Sequence, residues 1–184
     1  MFRQFAIALF VLVVIFNLPR AASAEEHPRP NHAIVIDPLT PIFGALLGVV
    51  ALELEYQWAP HDYVGLTLIP SFAYVKSKYY GDEVTGVGGG VRVGPRVLPQ
   101  GRRLGGAYIL PFVGYAQAAA AKDSSSISTK TISVGLEAGY SWVWHNGFVI
   151  NLGAGFRHDI ELADEFDDSL VISPILNFTL GYSW

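Results

Sequence analysis

Cysteine is absent from the 184 residues, so neither a disulfide framework nor a thiolate metal site is open to this chain. Charge is scarce as well. Only 15% of residues are charged, and the formal charge of −4 offers none of the basic footprint a nucleic-acid binder uses. Beyond the N-terminal segment there is no convincing membrane helix. The most helix-like stretch, Ile42 to Leu54, is interrupted by Gly44 and Gly48 and runs into Glu53 and Glu55. What is abundant is apolar and aromatic: half the chain is hydrophobic, with 19 glycines, 11 Phe, 9 Tyr and 4 Trp.

The N-terminus has the organisation of an export signal. Arg3 supplies the positive start, Phe5 to Phe16 is an unbroken apolar run of 12, and Ala22-Ser23-Ala24 is a small-x-small cleavage site. The run is shorter than the roughly 20 residues a spanning helix needs. Residues 1–24 are therefore predicted to be a cleaved signal peptide, 25–31 (EEHPRPN) a disordered lead-in, and 32–184 one folded unit.

Within that unit the dominant signal has a period of two. In the closing stretch, Trp184, Tyr182, Leu180, Phe178, Leu176, Pro174, Ile172 and Leu170 are apolar or aromatic, while Ser183, Gly181, Thr179, Asn177 and Ser173 between them are small or polar, as a strand with one greasy and one polar face requires. Thr131 to Trp144 and Phe148 to Ile160 alternate as cleanly. Gly48 to Trp58, Tyr63 to Val75, Val84 to Pro95 and Ala107 to Ala120 follow the same rule, and Ala33 to Ile36 makes an eighth, short strand. Ala59-Pro60-His61 and His145-Asn146-Gly147 read as tight turns. Ser77 to Glu83, Lys122 to Lys130 and Leu162 to Ser169 read as longer polar loops, with Pro99 to Arg103 in the short series. Short turns at one end and long loops at the other describe an up-and-down meander.

The polar face is mostly Gly, Ser, Ala and Asn, which suits a cramped, curved interior better than a solvated exterior. A soluble lipocalin-like barrel would alternate too, but with a charged outer surface. The apolar face carries Tyr56, Trp58, Trp142 and Trp144 near strand ends, where an aromatic girdle belongs. The expected fold is all-β: an eight-stranded antiparallel up-and-down transmembrane β-barrel, closed because a bilayer forbids open sheet edges. Pro70, Pro111 and Pro174 fall inside its strands, and at least one is expected at a bulge.

The ending Phe178, Leu180, Tyr182 and Trp184 resembles the C-terminal strand of bacterial outer-membrane barrels, whose aromatic last residue is the signal read by the assembly machinery. Together with the export signal, the chain resembles the small eight-stranded family of OmpX, OmpW and the OmpA transmembrane domain, differing from OmpA in having no domain after the barrel. The resemblance implies a Gram-negative outer-membrane location, lipid and lipopolysaccharide as neighbours, the barrel assembly machinery as a partner, and a monomer.

This fold hosts many activities, so function must come from the site. By strand parity Glu53, Glu55, Arg92, Arg96, Glu137 and Arg157 all point into a lumen barely wide enough for side chains. Isolated buried charges are costly, so these groups are expected to pair across the lumen or between neighbouring strands and plug it. A gated ion path is the alternative. Catalysis needs a nucleophile and a base on one face. His158 has outward parity while Ser133, Ser169 and Ser173 have inward parity, so no catalytic residue is assigned. The comparison that keeps an enzyme in view is with outer-membrane lipid A deacylases, which set a His beside a Ser on the lipid-facing surface.

Several other motifs weaken on inspection. His158-Asp159-x-Glu161 divides its ligands between two faces, Gly86 to Gly94 lacks phosphate-loop spacing, and Asp164, Glu165, Asp167 and Asp168 read as a solvated acidic loop. No metal or cofactor is expected. The expected role is structural or surface-interacting in the cell envelope. The alternatives are a narrow passive pore or lateral-opening channel for small molecules, and, third, a lipid A-modifying enzyme.

Overall fold

Each alternating segment finds an antiparallel neighbour on both sides. In the computed structural model, β1 (His32–Ile36), β2 (Val49–Trp58), β3 (Val64–Tyr79), β4 (Asp82–Val97), β5 (Gly106–Lys122), β6 (Ser125–Val143), β7 (Phe148–Glu161) and β8 (Ile172–Ser183) pair in chain order, and β1 returns to β8. The result is a closed eight-stranded antiparallel barrel. The structure describes residues 30–46, 48–79, 82–122, 125–162 and 172–184. The predicted signal peptide, residues 25–29 of the predicted lead-in, and the acidic segment Asp164 to Asp168 lie outside the described residues.

Parity sorts the side chains by size and polarity. Glu55, Gln57, Thr67, Arg96, Tyr108, Glu137, Asn151 and Thr179 are buried inside, whereas Leu52, Leu66, Phe72, Val113, Leu152 and Leu176 stand exposed on the outer face. Apolar exterior and polar interior reverse the usual globular order.

Three expectations change. Two predicted polar loops are strand: β3 and β4 continue to Tyr79 and from Asp82, and β5 and β6 pair up to Lys122↔Ser125. In β5 and β6 the polarity reflects exposure on both faces, since Ala116 to Ala121 and Ser126 to Lys130 are all exposed whichever way they point. Short turns and long loops therefore do not separate by end.

A helix, α1 (Leu39–Leu46), follows β1. Asp37 caps it, its carboxylate accepting from the Leu39 N–H at 2.7 Å and from the Thr40 hydroxyl at 2.6 Å, and Pro38 sits where a missing N–H costs nothing. Gly48, at φ +73°, ends the excursion in a conformation that glycine adopts without strain.

The third change concerns the prolines, none of which lies at a bulge. The register is constant along every strand pair, through Pro70↔Val91, Pro111↔Leu136 and Pro174↔Phe156. Successive residues of an antiparallel strand turn their N–H groups to opposite neighbours, so a proline fits wherever its nitrogen faces a missing rung. Pro70 faces the break in β2–β3 pairing between Glu53↔Ser71 and Tyr56↔Leu68, and Pro111 the break in β4–β5 pairing between Val93↔Val113 and Val97↔Ile109.

Pro174 marks the seam of the barrel. β1 is five residues long and pairs with β8 only from Ala33↔Ser183 to Ile36↔Leu180. Past Ile36 the chain leaves as α1, which packs on the start of β2 so closely that a Cβ at Gly44 would lie 2.6 Å from the Val49 carbonyl oxygen. Even-numbered residues of β8 face β1, as the Trp184 N–H to His32 oxygen bond (2.9 Å) shows. Pro174 therefore presents its nitrogen to an edge that, among the described residues, has no strand beside it.

Candidate functional site in the barrel lumen

Inside the barrel, the end carrying the first described residues and Trp184 is filled by apolar groups. Ala33, Val35, Ala59, Leu98 and Val149 are all buried there. The β4–β5 turn contributes Leu104, which is fully buried and held at φ +56°, an unusual conformation for a residue with a side chain.

Next to this apolar layer lies a transverse polar network. Arg96 donates through Nη1 to Glu55 (3.2 Å) and through Nη2 to the Ser141 hydroxyl (2.6 Å). Ser141 donates to Asn151 (2.5 Å), and Asn151 donates to Thr179 (2.8 Å). Gln57 donates to Glu55 at 2.7 Å. The Arg96 guanidinium lies 3.6 Å from the centre of the Tyr108 ring, a cation–π contact away from bulk water. The Tyr108 hydroxyl in turn donates to Glu137 (2.6 Å), which also accepts from Asn177 (2.8 Å). Strands β2, β4, β5, β6, β7 and β8 are thus tied together across the lumen. The network is not fully satisfied: Gln57 Oε1, Arg96 Nε and Glu137 Oε2 are buried without a hydrogen-bond partner.

Backbone spacing makes this network possible. Gly139 and Gly153 flank the Tyr108 ring, and a Cβ at Gly139 would lie 2.6 Å from its hydroxyl, while one at Gly153 would lie 2.7 Å from Glu137 Oε1. The inward glycines of β6 and β7 are room for a neighbour's side chain.

The six charges named from parity all face inward, with different partners. Arg92 pairs with Glu53 and Arg96 with Glu55, each across the intervening strand β3. Among the described residues no basic group pairs with Glu137; a phenol and an amide hold it instead. Arg157 lies 2.9 Å from Asp159 two residues along the same strand, contrary to the expectation that no pair runs along one strand. A single sequence reveals which face a residue occupies but not which strand stands opposite. Gln57, Tyr108, Ser141, Asn151, Asn177 and Thr179 share the inward parity, and charge alone did not mark them.

On the outer face the aromatic residues gather at the end carrying Trp184. His32 stacks between Tyr56 (6.0 Å) and Trp184 (5.7 Å), and its Nδ1 lies 2.7 Å from the Tyr56 hydroxyl. Trp142 packs against Tyr140 at 4.8 Å and Trp144 against Phe148 at 5.5 Å, while Trp58 is exposed. Phe178, Leu180, Tyr182 and Trp184 follow one another along the outward face of β8. His158 is outward beside Val134 and Ile172, whereas Ser133 and Ser173 point inward; Ser169 lies outside the described residues. Among the described residues no cluster of three His, Asp or Glu is placed to hold a metal ion.

With this geometry in hand, comparison with known proteins adds nothing. No protein-family model and no curated protein matches the chain. The functional reading therefore rests on the barrel itself.

Proposed function

We propose that the chain is a small outer-membrane β-barrel of the OmpX, OmpW and OmpA transmembrane-domain kind, exported by its N-terminal signal, with a sealed lumen and a non-enzymatic role in envelope structure or surface interaction. The observation that carries this reading is the reversed exterior. Large apolar side chains stand exposed on the outward face of all eight strands, whereas a soluble monomer rarely exposes more than a few hundred Å² of apolar surface in one patch. Lipid is the solvent for such a surface, and strands of 10 to 19 residues from β2 to β8 meet or exceed the roughly 9–11 a bilayer crossing needs. The long β5–β6 hairpin, exposed on both faces from Ala116 to Ala121 and from Ser126 to Lys130, then rises beyond the bilayer as a sheet suited to surface contacts. The network around Arg96 supports a sealed lumen.

A second reading, a narrow or laterally opening path for small molecules, is favoured by one feature, the seam past Ile36 where, among the described residues, β8 has no strand on its β1 side. Fractionation of cells expressing the full chain tests the membrane assignment: heat-modifiable barrel is expected in the outer-membrane fraction, and soluble periplasmic protein would overturn it. Planar-bilayer recording of the refolded barrel separates the two readings, since a steady conductance favours the path.

A further inference from the structure

The lumen is filled at one end only. Towards the far end the inward residues shrink to Ala51, Ala73, Gly88, Gly90, Ala116 and Ala118, and a cavity of about 260 Å³ remains. Its charged lining comes from two ion pairs, Arg92–Glu53 and Arg157–Asp159, with Ser71, Thr131 and Ser133 between them. A neighbouring cavity of about 280 Å³, lined partly by Thr40 of α1, shares Glu53, Ser71, Ala116 and Thr131 with it. Ser71, Ala116 and Ala118 point inward yet are exposed, so the cup is open to solvent.

We propose that this cup is a binding site for a small zwitterion carrying one ammonium and one carboxylate. Three observations lead there. First, a role limited to plugging gains nothing from six small residues where the other end holds Tyr108, Leu110 and Arg96. Second, the floor is unfinished. The Arg157 and Asp159 side chains are 40% and 33% exposed, and Arg157 Nε, although 2.9 Å from Asp159 Oδ2, is buried without a hydrogen bond. Nε is closed off on the Asp159 side, so a ligand carboxylate meets the exposed remainder of the guanidinium, and a ligand ammonium the exposed side of Asp159. Third, the charges balance. Two guanidiniums and two carboxylates repel a simple anion and a simple cation about as much as they attract either, whereas a molecule bearing both charges meets a complement for each. The volume lies just under the roughly 300 Å³ at which pockets for drug-sized ligands begin, so the ligand is amino-acid-sized.

The test is calorimetric titration of the refolded chain, in a neutral maltoside detergent, with 4-aminobutanoate and its two single-charge counterparts, butanoate and butylammonium. Saturable binding of 4-aminobutanoate is expected, at least about tenfold tighter than either counterpart. Arg157→Ala and Asp159→Ala should each weaken it by about tenfold or more. Ala116→Leu, which fills the cup and leaves every charge in place, should abolish it while the barrel stays heat-modifiable. No saturable binding, butanoate binding as tightly as the zwitterion, or full binding by Ala116→Leu would each overturn the proposal. If the charge variants fail to fold, the comparison of the three probes on the unmodified protein decides.

Discussion

Arg96 is the residue whose environment does most to hold the lumen together, and the consequence of removing its partner differs from that of removing Glu137. Glu55→Ala leaves a guanidinium buried without its carboxylate, a situation that costs about 3–5 kcal/mol. Adding Arg96→Ala removes the stranded charge, so the double variant should recover part of the loss in a denaturant titration; a fully additive loss would mean the two do not act as a pair. Glu137→Ala instead orphans a hydroxyl and an amide, at about 1–3 kcal/mol for each unmet group. Neither Arg92→Ala, Arg96→Ala nor Arg157→Ala should rescue it, because each of those arginines pairs with another carboxylate. Space is as restricted as charge here. Gly153→Val would push into Tyr108 and Glu137, and overpacking of this kind costs about 1–3 kcal/mol, measurable as earlier unfolding on heating.

At the scale of elements, the sequence was legible wherever a strand separates two environments. β2, β7 and β8 each have a greasy and a polar face, so period two located them to within two residues. It failed where both faces share one environment: the upper parts of β5 and β6 are wet on both sides, and the Ser-rich start of β6, within Lys122 to Lys130, looks like loop. Helix α1 was hidden for another reason. Eight residues containing Pro41 and Gly44 make a weak periodic signal, and the Asp37-Pro38 cap is the one local feature that points to a helix start. Proline placement depends on pairing that a single sequence does not display. Pro174 now has a specific meaning, since it removes a donor from an edge that, among the described residues, has no neighbouring strand, a known guard against edge-to-edge association. Pro174→Thr restores that donor and a strand-compatible residue. Dimers or larger assemblies are therefore expected from the variant in chemical cross-linking or light scattering, and an unchanged monomer would show that the edge is protected in some other way.

For the whole molecule, closure and sealing are separate matters, and each can be broken alone. Closure runs through the joint of β1 and β8, where Trp184 exchanges backbone hydrogen bonds with His32 at 2.9 and 3.1 Å and stacks on its ring. Trp184→Asp removes the stack and puts a charge on the outer face, so it should lower the yield of heat-modifiable barrel and leave material in the periplasm; normal outer-membrane levels would exclude both an assembly and a closure role for that side chain. Sealing depends on the lumen network, which touches neither the joint nor the exterior. Eight strands leave an interior just wide enough for side chains, so whether ions pass is decided by which side chains occupy it. With Arg96, Glu55 and Tyr108 in place next to an apolar layer, the unmodified protein should show no steady single-channel step in a planar bilayer. Removing Glu55 and Arg96 together deletes two of the largest occupants of the polar layer and the ion pair that joins β2 to β4, and should produce small, frequent openings in a barrel that still migrates as folded. A large and stable conductance from the unmodified protein would show that the ion pairs line a path, and the sealed lumen would have to be given up.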